Sequence, residues 1–90
     1  MEFPLLIMNV QVFSVNMDAR YLISKEAVLR NEKHTIIKIS LNEAESVNGG
    51  PVVGERYFVR YRDGIGQDFY PPEFRYIGMK NKQLIFSSTN

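Results

Sequence analysis

Three guanidinium groups around one phenyl ring are the clearest chemistry in this chain. They lie in Glu55-Arg56-Tyr57-Phe58-Val59-Arg60-Tyr61-Arg62-Asp63. Side chains on an extended strand switch faces at every residue. Arg56, Phe58, Arg60 and Arg62 therefore share one face, and Tyr57, Val59 and Tyr61 share the other. The second face is an ordinary core face. The first can meet a partner, because bases stack on Phe and Arg and arginine with aromatic rings is also the composition of a protein–protein hot spot. Arg75, Lys80 and Lys82 extend the candidate set downstream. The competing reading is structural. Phe58 is buried because both sheet faces are covered, and the arginines snorkel or pair with Glu55, Asp63, Asp68 or Glu73.

Other chemistry is thin. His34 is the single histidine, and it follows Glu32-Lys33 at an apparent strand start, with no Gly-x-Ser-x-Gly nucleophile in the chain. A general base needs an orienting carboxylate or a nucleophile within hydrogen-bond reach, so a solvated strand-end histidine is the better reading. With no cysteine and one histidine, a metal site would rest on carboxylates, and Asp63 and Asp68 flank a turn without calcium-loop spacing. The glycines of Gly49-Gly50-Pro51-Val52-Val53-Gly54 lack the Lys-Ser/Thr or helix opening that a phosphate loop requires, so this is a connector. No cofactor is expected, and no enzyme.

Phe58-Val59-Arg60-Tyr61 resembles half of the aromatic signature of RNA-recognition folds. The other half calls for glycine and aromatic residues where this chain has Glu55, Arg56 and Tyr57, and the two long helices of that fold have no counterpart. That family is set aside. A generic aromatic–basic nucleic-acid face remains as the second reading.

Composition bounds the partner. The chain has 90 residues, 44% hydrophobic and 23% charged, with net charge +1. These values describe one globular domain spanning residues 1–90, with roughly 60–65% of its unfolded surface buried. A net charge of +1 supplies no global field for nucleic acid or anionic membrane, so a local patch must do the binding. Over residues 55–90 the basic side chains exceed the acidic ones only slightly, while most of the aromatic residues fall there. This balance favours a protein partner, because nucleic-acid affinity leans on many phosphate contacts. The absence of cysteine points towards a reducing, cytoplasmic compartment. Pro4-Leu5-Leu6-Ile7-Met8 is apolar, but Asn9 and Gln11 interrupt it and Glu2 precedes it. It reads as a strand buried on both faces, not a signal peptide or membrane span.

The elements that carry these residues are mostly strands. Met8, Val10 and Val12 alternate with polar residues, then Phe13, Val15, Met17, Ala19, Tyr21 and Ile23 continue in the opposite phase. A two-residue period that slips by one is the mark of a β-bulge, so the ladder is expected to break at Val12-Phe13. Residues 5–23 form one bent strand or two strands meeting near 16–18; a helix from Asp18 is the rival, since Ala19, Leu22, Ile23 and Ala27 also sit at helical spacing, but strand is preferred up to Ile23. Ser24 is expected to cap a short helix over 25–30 with Glu26 in its first turn. Strands follow over 34–41 and 55–62. A capped helical turn is expected at 42–45, ended by Gly49-Gly50. An Asp-Gly turn is expected at 63–66, then a short strand over 67–70 stopped by Pro71-Pro72. A hairpin of 75–79 with 83–87 turns around Asn81, before a frayed tail at 88–90.

The expected fold is therefore mostly β, formally β-rich α+β. It is a small antiparallel barrel or strongly bent sheet of five to six strands with one short helix. Phe69-Tyr70-Pro71-Pro72-Glu73-Phe74-Arg75-Tyr76-Ile77 loosely resembles the end of SH3-like barrels, where a proline-led turn precedes the last strand. The likeness covers about ten residues of the chain, and another hairpin follows here, so it implies architecture alone. The expected function is a non-catalytic binding module or accessory subunit working through protein–protein contact, with weak nucleic-acid binding as the alternative. A homodimer through the N-terminal strand is also expected, since terminal strands often lie at sheet edges.

Overall fold

The computed structural model describes residues 4–31, 34–63, 66–69 and 73–88. Within them the chain forms eight strands: β1 (Leu5–Phe13), β2 (Arg20–Asn31), β3 (Thr35–Ser40), β4 (Ala44–Ser46), β5 (Arg56–Arg62), β6 (Asp68–Phe69), β7 (Glu73–Lys80) and β8 (Gln83–Ser88). All pairings are antiparallel. Six strands close a ring in the order β1-β2-β3-β8-β7-β5, with β5 returning to β1; β4 adds to β2 and β6 to β5. Partners run from Leu5 at the start of β1 through Leu29, Ile37 and Phe86 to Tyr76 in one direction round this ring, and from Phe13 at its end through Phe58 to Glu73 in the other, so opposite ends of β1 reach the same strand, β7. The strands are thus steeply tilted, as a small closed barrel requires.

Alternation fills the barrel. Ile7, Val10, Val12, Leu22, Ile37, Ile39, Val59, Phe74 and Phe86 are fully buried, each stabilising the fold by about 1.5–3 kcal/mol relative to exposure. An aromatic cluster joins this interior. Tyr57 meets Tyr21 edge-on at 5.5 Å and Phe86 at 6.3 Å, and Tyr76 lies 4.9 Å from Phe86. The Tyr57 hydroxyl is buried with a partner, accepting a hydrogen bond from Val52 N at 2.7 Å. This is how a buried tyrosine normally satisfies its polar end.

The expected bulge is present. The β1–β2 register shifts between Val12 and Phe13, whose partners are Leu22 and Arg20, so the extra residue, Tyr21, lies on β2. A second bulge lies on β1 itself. Against β5, the register shifts between Met8 and Gln11, and Asn9 there has φ 52°, which asparagine tolerates better than most residues. The turn joining β1 to β2 falls at the expected 16–18, where the Ser14 hydroxyl bonds the Asp18 carboxylate at 2.6 Å. The β7–β8 hairpin turns at Asn81 and Lys82, with φ 52° and 61°, the paired positive values that a two-residue hairpin needs.

Two helical expectations are corrected. Residues 25–30 continue β2, and Ser24 caps nothing; its hydroxyl donates to Glu26 O at 2.7 Å. The physical reason lies in pairing. Ile7 faces Ala27 and Val10 faces Ser24 in one unbroken register, and all four are buried. Both strands turn their inner face between these pairs, which produces a three-residue spacing that imitates a helix. Residues 41–43 form a turn, and Ala44–Ser46 is strand β4. The N-terminal strand is not a simple edge either, because β1 pairs with both β2 and β5 over Met8–Phe13. Among the described residues, only its beginning, Leu5 to Ile7, has one neighbour. The readings at 63–66, 67–70, Pro71-Pro72 and the 88–90 tail lie partly or wholly outside the described residues. No helix among them is long and apolar enough to cross a membrane.

Candidate interaction groove

The two faces of β5 are as its alternation implies. Tyr57 and Val59 are buried, Phe58 is half-buried, and Arg56 and Arg62 are exposed. Phe58 lies opposite Phe13 on β1 and Glu73 on β7. The candidate cations, however, separate. Arg56 pairs with Glu73 at 3.3 Å and lies opposite Arg75, whose Nη1 donates to Gly54 O at 2.6 Å. These two arginines brace the β5–β7 side. Arg60 and Arg62 lie on the β1 side and line a groove. Lys80 and Lys82 are exposed at the β7–β8 turn and do not line it.

The groove has a volume of about 460 Å³. Sheet register builds it. Arg60 faces Gln11, Gln11 faces Ile23, and Ile23 faces Glu45, one row across β5, β1, β2 and β4. The Asn9 bulge interrupts the β1–β5 ladder along this row, and a bulge bends its strand and re-aims the neighbouring side chains. Asn9, Val10 and Gln11 all border the groove. Its charges are mixed: Arg20, Lys25, Arg60 and Arg62 stand with Glu43 and Glu45. Local sequence gives no sign of the four charged members outside β5, since pairing across strands is what assembles them. The only local signal is Asn9, a residue suited to left-handed backbone inside an otherwise apolar run.

Tyr61 also lines the groove and packs on the core. Burial, and then the Asp63 carboxylate, push its phenol above the ordinary 10.0. Burial, and then Tyr57, push Tyr76 the same way. A phenol whose folded value is raised contributes stability that is fully present below about 10 and is lost as pH rises through the raised value. Ultraviolet titration is therefore expected to show phenolate formation with a midpoint above that of free tyrosine for these two rings, with the urea midpoint falling over the same range. Ionisation of all the phenols at the midpoint of free tyrosine would contradict this placement.

His34 is exposed just before β3. Among the described residues, no group of three or more His, Asp or Glu side chains is placed to hold a metal ion, and no buried side-chain nitrogen or oxygen lacks a hydrogen-bond partner. Comparison with family models, with curated proteins and with solved structures finds no match for this chain.

Proposed function

We propose that this protein is a small non-catalytic binding module acting through protein–protein contact, and that the groove over β5, β1, β2 and β4 is its binding surface. The observation that carries the reading is the mixed charge of that groove, with Ile23 between Gln11 and Glu45 in its central row. Both signs of charge around an apolar residue suit a protein segment, whose own side chains supply both signs. A polyanion would meet repulsion from Glu43 and Glu45, so nucleic acid is the weaker reading.

Selection from a random peptide display library tests this. Wild-type protein is expected to enrich sequences that combine acidic, basic and apolar residues, and Arg60→Glu/Arg62→Glu is expected to lose the acidic preference. Failure of the wild type to enrich any sequence overturns the reading. Binding of a single-stranded oligonucleotide with a slope of log K against log salt of about −2 to −3 would instead establish the nucleic-acid alternative.

A further inference from the structure

Asn48 is the only asparagine in the chain followed by glycine. The pair forms a tight turn after β4. Gly50 N donates to Val47 O at 3.0 Å, and Asn48 and Gly49 between them have φ 52° and 86°. Positive φ at both central residues makes this a type I′ turn, which suits Asn-Gly. The turn is tied to the start of β2 by two bonds. Val47 N donates to Tyr21 O at 2.9 Å, and the Asn48 side chain donates from Nδ2 to Arg20 O at 2.9 Å.

The same turn leaves a reactive pair on the surface. Asn48 and Gly49 are both exposed, and Gly49 N donates no hydrogen bond among the described residues. Nothing lies within 4 Å of the Cβ position of Gly49, so no neighbour shields it. A backbone amide that follows an asparagine becomes a nucleophile towards the side-chain carbonyl when it loses its proton. Glycine gives that attack an unhindered approach and a backbone free to turn into it. Asn81 and Lys82 form the corresponding pair in the β7–β8 turn, also with positive φ, 52° and 61°, but there the lysine side chain crowds the amide. At Asn48 the bond from Nδ2 to Arg20 O fixes the side chain, so the reaction waits on its opening. One exposed bond at the end of a three-residue strand opens readily.

We infer that Asn48 is a site of spontaneous modification whose chemistry releases the end of β4. Gly49 N attacks Asn48 Cγ. The new N–Cγ bond forms as the Cγ–Nδ2 bond breaks, and ammonia leaves with the Gly49 amide proton. Water then opens the cyclic imide at either of its carbonyls. The product at position 48 is aspartate or, with the main chain rerouted through the side chain, isoaspartate. Both lack the Nδ2 donor, and a carboxylate beside Arg20 O meets repulsion instead of a bond. Isoaspartate also lengthens the main chain by a methylene, which breaks the type I′ geometry. Asn48 does not line the groove, so the inference stands whether or not the groove binds a partner. Its effect reaches the groove through Glu45, which is carried by β4.

Prolonged incubation of the folded protein at mildly alkaline pH, followed by peptide mapping with mass spectrometry, tests it. Conversion at Asn48 is expected to run at least about ten-fold faster than at Asn81, which shares the turn but precedes a side chain that hinders attack. Isoaspartate is expected among the products, since direct hydrolysis of the side-chain amide cannot make it. Amide hydrogen exchange reads the structural consequence. Exchange at Val47 N should quicken about ten-fold or more in the modified protein and in Asn48→Asp. Asn48→Gly keeps a residue suited to positive φ and removes the reactive amide. It should stay unmodified and still lose protection at Val47, because the bond to Arg20 O is gone. Circular dichroism confirms that each variant is folded. Conversion at Asn48 no faster than at Asn81, products without isoaspartate, or Val47 exchange unchanged in both Asn48→Asp and Asn48→Gly would each overturn the inference.

Discussion

Phe74→Ala should cost this protein about 3–5 kcal/mol, while Phe58→Ala should cost about 1–2 kcal/mol. Both rings belong to adjacent paired strands, and Phe74 is opposite Tyr57, one residue from Phe58. Their surroundings differ. Phe74 is 0% exposed inside the barrel, so truncation loses its transfer energy and leaves a cavity among side chains held by a closed ring. Phe58 is half-buried on the outside, across from Phe13, so it loses part of an aromatic cross-strand pair and opens no internal void. Domains of this size carry about 5–10 kcal/mol in total. Phe74→Ala should therefore leave a large unfolded population in mild urea, whereas Phe58→Ala should only shift the midpoint. Urea melting of the two variants, followed by circular dichroism, measures the difference. A loss of 3 kcal/mol or more from Phe58→Ala would place that ring in the core and remove it from any binding face.

Gly78→Ala is the second large effect, expected at about 1–3 kcal/mol. The cause is backbone conformation. Gly78 has φ 122°, where a Cβ clashes with its own peptide groups, whereas the space beside it is adequate, with Val53 Cγ2 at 3.5 Å from the Cβ position. This separates two explanations. If strain at φ is responsible, adding Val53→Ala to Gly78→Ala returns none of the lost stability. If crowding is responsible, it does. A cost below 0.5 kcal/mol would show that the β7 bulge relaxes at no expense.

The parts of the fold that were legible are those governed by one strand at a time. The Val12-Phe13 slip appears as a phase change in side-chain type because a bulge alters which face each later residue occupies. The β7–β8 hairpin was visible in Asn81, a residue suited to its positive φ. Tyr57 and Val59 were assigned correctly to the interior. The misreading of 25–30 as helix rested on Ser24 as a cap and Glu26 in a first turn, whereas these residues continue a strand pair that changes its inner face. Ser24 and Ala27 are both inside, and their spacing makes sense only beside Val10 and Ile7 on β1. The candidate site fared less evenly for the same reason. Arg60 and Arg62 reached the groove, but Arg56 and Arg75 bond to Glu73 and Gly54 O at the surface of the β5–β7 side. Strand alternation says which face a side chain occupies and nothing about the neighbour that will meet it there. The partners of the groove arginines sit on β1, β2 and β4, and a local pattern holds no information about cross-strand register.

The place of β8 in the ring has a consequence for synthesis. This strand sits between β3 and β7, so a growing chain cannot seal the barrel until residues 83–88 have left the ribosome. Until then β3 and β7 present unpaired edges carrying Ile37, Ile39, Phe74 and Tyr76. The closing pairs join strands far apart in the chain, β1 with β5 and β3 with β8, an arrangement that folds slowly because loop entropy is lost before contacts form. Nascent chains from which β8 has not yet emerged are the ones expected to engage chaperones or aggregate, and its emergence lets the barrel close.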